Sequence, residues 1–180
     1  MLVFVVIALC AIVYIQLSNR IRPDFVILQT PLASLEHSML REGGVVVIQD
    51  RLVDVHAMIA SVFRYAYVSS HTDTSDTFPY NAIVNKGRYC VLHNHSDSQD
   101  VVLQVAHPVP GLPPGTRVIH EDRFMKVCFR GNTGGISWNN IRVPPRVTVI
   151  LPRKWIYRVT DESNARDLTR VILHDFLSML

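Results

Sequence analysis

Cysteine is scarce in this chain, which excludes a fold held together by disulfides. There are 3 cysteines in 180 residues, and Cys10 lies inside the first apolar run. Cys90 and Cys128 are too few for a disulfide framework, and each lies in a β-prone run, where a buried and unreactive thiol is expected. This usage is typical of a protein that faces a reducing compartment such as the cytosol.

Charge is also scarce, because 18% of the residues are charged and the net charge is +3. The basic residues form no run, so the sequence lacks the electrostatic footprint of a nucleic-acid-binding protein. It also shows no internal repeat and no low-complexity segment. The sequence therefore predicts no nucleic-acid partner.

Familiar catalytic and nucleotide-binding motifs are missing. The glycine-rich stretch from Gly131 to Gly135 does not end in the Gly-Lys-Ser/Thr of a phosphate-binding loop. No Gly-x-Ser-x-Gly nucleophile elbow is present either. The sequence predicts a protein that is not an enzyme and that uses no cofactor and no small-molecule substrate.

The most informative segment that is present is the apolar start of the chain. The residues from Met1 to Leu17 contain no charged side chain, and Arg20 is the first one. A helix of this length measures roughly 26 Å, which fits a thin bilayer core of about 27 Å. A cleavable signal peptide would need a basic start and a small-residue cleavage site, and a core helix would be apolar on one side only. The sequence therefore predicts a single-pass transmembrane helix, with residues 1–22 as anchor and basic flank.

The flanks of this run predict its orientation and its partner. Arg20 and Arg22 follow it directly, and no basic side chain precedes it. The positive-inside rule then places the C-terminal body on the cytosolic side of a membrane. Together with Arg41 and Arg51, these arginines are candidates for contact with anionic headgroups, and simple solvation is the alternative interpretation.

Residues 23–180 are predicted to form one mainly β domain, a small jelly-roll-like β-sandwich with one packing helix. Many short strands separated by Gly, Pro and Asn turns are typical of a sandwich or a barrel. The predicted strands are residues 25–30, 45–48, 88–93, 101–107, 117–120, 122–130, 146–151, 155–160 and 169–176.

The packing helix is expected at about residues 54–67. Apolar residues recur there every three or four positions, and Asp50 or Asp54 is placed to cap the first turn. Residues 31–41 are expected to form a shorter helix and residues 69–77 a loop. Residues 169–180 are compatible with either a strand or a helix.

One histidine-rich turn is a candidate metal site. His95-x-Asp97 matches the first half of the facial triad that binds non-haem iron. The third ligand would be a distal histidine, and the options are His107, His120 and His174, with His174 preferred because it lies on the last predicted strand. A polar turn without metal is the alternative, and the sequence leaves the choice open.

Five short segments follow the N-terminal run along the chain: residues 25–32 (FVILQTPL), 46–52 (VVIQDRL), 63–68 (FRYAYV), 149–152 (VILP) and 171–178 (VILHDFLS). In this order they resemble membrane-anchored virion proteins of the large nucleocytoplasmic DNA viruses, the chlorovirus and giant-virus group. The resemblance implies a minor capsid protein and supplies no catalytic residues.

The resemblance also implies a location and a mechanism. Viruses of this group enclose an inner membrane, derived from host endoplasmic reticulum, beneath the protein shell. The helix would hold that membrane, while the sandwich, facing the shell, contacts minor or major capsid proteins. Many weak contacts repeated over the shell would then add up to firm attachment.

The alternative hypothesis is enzymatic. A membrane-anchored, cupin-like iron oxygenase would use His95, Asp97 and His174 as ligands. Arg170 would be available to hold the acid group of a co-substrate. Metal content would separate this hypothesis from the structural one.

Overall fold

The chain forms a two-sheet β-sandwich, which confirms the predicted mainly β class. The computed structural model describes residues 2–18, 24–52, 54–64, 66–71, 81–122, 126–160 and 167–175. The described helices are α1 (Leu2–Ser18), α2 (His37–Arg41) and α3 (Val55–Val62), and one turn of 3-10 helix covers Leu32–Ser34. The described strands are β1 (Ile27–Thr30), β2 (Val45–Ile48), β3 (Tyr67–His71), β4 (Ala82–Asn85), β5 (Tyr89–Asn94), β6 (Val101–Ala106), β7 (Thr116–Glu121), β8 (Lys126–Gly131), β9 (Asn139–Val143), β10 (Thr148–Pro152), β11 (Ile156–Val159) and β12 (Leu168–His174).

The strands divide equally between two sheets. Sheet A has the order β1-β2-β10-β5-β12-β3, and sheet B has the order β7-β8-β4-β11-β6-β9. The first pair, β1 and β2, is parallel, and the other described pairs are antiparallel. Successive strands alternate between the sheets from β3 to β6 and again from β9 to β12.

The main core lies between the two sheets. Side chains at alternate positions of each strand meet there, as the two-residue period of a strand requires. The central strands β2 and β10 are buried over their whole length because sheet A is covered on both faces. The largest fully buried side chains of the inter-sheet core include Trp155, Tyr157, Leu92 and Leu103.

The predicted packing helix is confirmed as α3, which covers the outer face of sheet A. One carboxylate oxygen of Asp54 accepts the backbone N–H groups of His56 and Ala57 at 2.9 and 3.1 Å, so Asp54 is the N-cap. The buried face of α3 contributes Val55, Met58 and Ile59 to the second hydrophobic cluster.

This helix is shorter than the sequence predicts, and the reason is the strand that follows it. α3 ends at Val62, whereas the predicted helix extends to about residue 67. The chain enters β3 at Tyr67 and pairs with β12, so the predicted loop over residues 69–77 is wrong for residues 69–71. The rest of that loop, residues 72–77, lies outside the described residues.

The sequence pattern does not predict three of the described strands, β3, β4 and β9. β3 and β9 lie at sheet edges and carry polar residues, and β4 is only 4 residues long. An edge strand is fixed by backbone pairing on one side and needs no continuous apolar pattern. β12 settles the open alternative at the C-terminal side in favour of a strand as far as His174, and residues 176–180 lie outside the described residues.

The sandwich has two distinct ends, which the strand registers define. Tyr89 pairs with Pro152 and with Leu173 at one end, which we call the helix end. Asn94 pairs with Leu168 at the other, which we call the distal end. Because most neighbouring strands are antiparallel, each short connection between strands lies at either the helix end or the distal end.

Candidate functional site

α1 is an apolar helix that exposes its side chains on nearly every face. Phe4 is 79% exposed, Ile7 60% and Leu9 56%. Among the side chains described in this helix, Ala11 is the one that is partly buried. A helix that packs on a protein core hides one stripe, so this pattern indicates a helix whose apolar surface is uncovered in the isolated chain.

The predicted transmembrane span requires a correction. Within the described part of the chain, no helix combines the length and the apolar character that a membrane crossing needs. α1 has 17 residues and measures roughly 26 Å, whereas a typical hydrocarbon core takes about 20 helical residues. The apolar helix is thus present, but a span is not found. The predicted flank, Arg20 and Arg22, lies outside the described residues.

A polar junction connects α1 to the helix end of the sandwich. The Tyr14 hydroxyl donates a hydrogen bond to Asp175 Oδ2 at 2.6 Å. Arg88 Nη1 donates to the same carboxylate oxygen at 2.6 Å and to the Tyr14 hydroxyl at 3.0 Å. The Arg88 guanidinium also lies 5.5 Å from the centre of the Tyr14 ring. These three side chains fix where the helix leaves the body.

The sheet registers explain why this junction forms. Arg88 lies in the short turn between β4 and β5, and Asp175 follows the last residue of β12. β5 and β12 are neighbours in sheet A, and Leu173 pairs with Tyr89. The two charged side chains therefore emerge side by side at the helix end. Neither Arg88 nor Asp175 stands out in the sequence, because their significance depends on a pairing between distant strands.

A second polar group lies inside the sandwich. Arg170 is 3% exposed, and its Nη1 donates to the buried Tyr157 hydroxyl at 3.4 Å. The Cys90 thiol lies 3.7 Å from the same hydroxyl. Burial raises the pKa of Cys90 to about 11, although Arg170 and the hydrogen bond to Tyr157 act in the opposite direction. Burial also raises the pKa of Cys128. Both thiols therefore stay protonated at neutral pH, as the sequence predicts for inert cysteines.

The predicted metal ligands are not brought together. His95 lies just beyond β5 at the distal end, where its backbone N–H donates to Asp167 at 2.8 Å. Asp97 pairs with Arg146, whose Nε lies 3.0 Å from its carboxylate. His174 ends β12 at the helix end, and the 7 residues of that strand place it about 20 Å from the distal end. The triad of His95, Asp97 and His174 is therefore not assembled.

The remaining predicted ligands and the co-substrate residue do not complete a site either. His107 stacks on Trp155 with ring centres 4.6 Å apart, and His120 lies on the exposed strand β7. Arg170 points into the inter-sheet core beside Tyr157. Among the described residues, no group of three or more His, Cys, Asp or Glu side chains is arranged to hold a metal ion.

Comparisons with known proteins give no independent assignment. A scan against protein-family models, a search of curated proteins and a search of solved structures each find no match to this chain.

Proposed function

We propose that this protein is a structural tether that inserts α1 into lipid and holds the β-sandwich at the membrane surface. The observation that carries the proposal is the exposure of apolar side chains around the whole circumference of α1. A groove on a partner protein covers one face of a helix, whereas hydrocarbon covers all of them. Lipid is therefore the environment that matches this helix.

The junction supports a definite boundary between lipid and body. Tyr14 is an amphipathic ring of the kind that lies at headgroup level, and it contacts the charged pair of Arg88 and Asp175. Moving a charged pair of this kind into hydrocarbon has a large free-energy cost, so Arg88 and Asp175 stay outside the hydrocarbon layer. From Leu2 to Tyr14 the helix rises about 18 Å, so this is the apolar length that inserts beyond the junction.

The body of the tether is proposed to be a jelly roll. Strands β3 to β6 and β9 to β12 are ordered β3-β12-β5-β10 in one sheet and β4-β11-β6-β9 in the other. This alternation between two four-stranded layers supports a jelly-roll connectivity, with β7 and β8 as an insertion and β1 and β2 as an added edge. Jelly rolls serve both as capsid domains and as cupin enzymes. The dispersed positions of His95, Asp97 and His174 favour the structural role.

The specific role that we propose is that of a minor capsid protein, which attaches a viral inner membrane to the capsid shell. This part rests on the sequence resemblance to membrane-anchored virion proteins and agrees with an inserting helix on a jelly-roll body. The membrane would be the inner membrane of the virion, derived from endoplasmic reticulum during assembly. The protein partners would be minor or major capsid proteins.

The native cysteines provide a direct test of lipid insertion. Cys10 is exposed on α1, whereas Cys90 and Cys128 are buried in the sandwich. A charged maleimide that does not cross membranes should label Cys10 in the absence of lipid. Addition of neutral phosphatidylcholine vesicles should slow this labelling about tenfold or more, because neither the reagent nor a thiolate enters hydrocarbon.

A body cysteine is the matched control for this measurement. Ser98 is exposed in the distal turn between β5 and β6. In a Cys10→Ser/Ser98→Cys variant, the labelling rate should stay the same with and without vesicles. An unchanged rate at Cys10 in the wild-type chain would contradict the insertion of α1.

The capsid role has a separate test. Mass spectrometry of purified, protease-treated virus particles should detect the chain in a constant ratio to the major capsid protein. Cross-linking in intact particles should join the sandwich, and not α1, to capsid proteins. Absence of the chain from purified particles would refute the capsid role while leaving lipid insertion intact.

A further inference from the structure

The helix end of the sandwich carries an excess of basic side chains. In its described connections and at the adjoining ends of its strands and helices the basic residues are Arg41, Arg64, Lys86, Arg88, Lys126, Arg153 and Lys154, and the acidic ones are Asp24, Glu42, Glu121, Asp122 and Asp175. The distal end carries both signs in similar numbers. Its acidic residues include Asp50, Asp54, Asp97, Asp100 and Asp167, and its basic ones include Arg51, Arg117, Arg130, Arg142 and Arg146.

Two of the basic side chains at the helix end have protein partners. Lys86 pairs with Glu121 at 2.6 Å, and Arg88 pairs with Asp175 at 2.6 Å. By contrast, Arg153 and Lys154 form no ion pair with a carboxylate in the described part of the chain. They occupy the tip of the turn between β10 and β11, and Lys154 is exposed.

This turn lies beside the junction of α1. Pro152, which precedes the turn, pairs with Tyr89, which follows Arg88. Strands that pair in this way are about 5 Å apart, so the turn tip and the junction share one patch of surface. The charge of Arg153 also acts on His174, the neighbour of Asp175 along the chain. Arg153 and Lys154 therefore lie at the level where α1 leaves the body.

We propose that the helix end binds the anionic headgroups of a lipid surface through Arg153 and Lys154. The inference rests on the proposed insertion of α1, because the helix brings this end of the sandwich to the headgroup layer. A cation near an anionic membrane is attracted by its surface potential, and the attraction falls off within a Debye length.

From the sequence, Arg41 and Arg51 are both candidates for headgroup contact, but the strand topology places them at opposite ends of the sandwich. Arg41 lies at the helix end, whereas Arg51 lies at the distal end, beyond the reach of the same headgroups. The sequence distance from α1 does not predict this division, because the chain crosses from one end of the sandwich to the other between these residues.

Vesicle flotation of the full chain tests the proposal. Wild type is compared with an Arg153→Gln/Lys154→Asn variant on neutral phosphatidylcholine vesicles and on vesicles with about one third phosphatidylserine. Asparagine is chosen because Lys154 has φ of 69°, a conformation that asparagine tolerates well. We expect the variant to bind the anionic vesicles roughly 10- to 30-fold more weakly, with unchanged binding to neutral vesicles.

The matched control removes the same amount of charge at the opposite end. Arg117 and Arg130 are exposed cross-strand neighbours near the distal ends of β7 and β8. Arg117→Gln/Arg130→Gln should leave binding to both vesicle types unchanged. An equal loss in this control would show that net charge alone acts, which overturns the site.

The remaining outcomes separate this proposal from the proposed function. Equal binding of wild type to neutral and anionic vesicles would overturn headgroup recognition and leave lipid insertion standing. Failure of wild type to bind either vesicle would refute lipid insertion itself. A thermal melt of each variant should match wild type, since the replaced residues lie in a turn or on exposed strand positions.

Discussion

Ile7→Arg is expected to weaken partitioning of the chain into neutral phosphatidylcholine vesicles by roughly 100-fold. Ile7 lies near the middle of α1, is 60% exposed and belongs to none of the hydrophobic clusters of the sandwich. An arginine near the centre of an inserted helix costs about 2.5–3.5 kcal/mol, and each 1.4 kcal/mol changes a partition constant tenfold. Vesicle flotation measures the effect.

The same substitution on the sandwich is the control for this result. Ile119 is 51% exposed on β7, an edge strand of sheet B. Ile119→Arg should leave the partition constant within about twofold of wild type, because this side chain does not enter lipid in the proposed arrangement. If both variants lose binding equally, or if neither does, α1 is not the element that inserts.

Trp155→Ala is expected to lower the free energy of unfolding by about 3–5 kcal/mol. Trp155 is fully buried in the inter-sheet core, with the tilted rings of Phe25 and His107 packed against its indole. Its indole N–H donates to the Gly43 carbonyl at 3.2 Å, which attaches the turn before β2 to the start of β11. The truncation removes this bond and leaves a large cavity, which neighbouring strands cannot fill.

Thermal and urea denaturation measure this second effect. In a chain of this size, 1 kcal/mol corresponds to a shift of about 2–4 °C, so we expect Tm to fall by roughly 10 °C or more. Trp138→Ala is the control, since Trp138 is only partly buried and its ring is covered by the Arg158 guanidinium at 4.3 Å. A loss at Trp155 that is no larger than the loss at Trp138 would contradict the role of Trp155 in the core.

The two variants also separate folding from lipid insertion. Ile7→Arg should change vesicle binding without changing the unfolding transition of the sandwich, because Ile7 is 60% exposed on α1 and lies outside the hydrophobic clusters of the sandwich. Trp155→Ala should change the unfolding transition while α1 keeps its apolar surface. A variant that altered both properties equally would indicate that α1 is part of the folding core.

Much of the secondary structure follows from local sequence. The apolar start predicts a helix, and α1 covers Leu2–Ser18. The apolar run Val45–Ile48 predicts a strand buried on both faces, and β2 is such a strand. Asp50 or Asp54 is predicted to cap α3, and the structure shows that the carboxylate of Asp54 accepts the first free N–H groups of the helix. In each case the residues that predict the element are the residues that form it or adjoin it, so the prediction does not require knowledge of any contact between distant segments.

The sites are different, because they depend on which strands become neighbours. His95 and His174 are plausible metal-ligand partners in the sequence. In the structure β12 begins at the distal end, beside His95, and ends at the helix end with His174, so the length of the strand separates the two histidines. Tyr14, Arg88 and Asp175 are far apart in the sequence, yet the pairing of β5 with β12 brings two of them together where α1 leaves the body. Arg41 and Arg51 are close in sequence and end on opposite sides.

The sequence by itself determined the apolar helix, the mainly β class and most of the central strands, since burial imposes a local pattern on each of them. Only the tertiary structure decided the edge strands, the separation of the predicted metal ligands, the polar junction and the basic helix end. The physical reason is that sheet register is set by pairing between segments distant along the chain, and register fixes which end of the sandwich each side chain occupies.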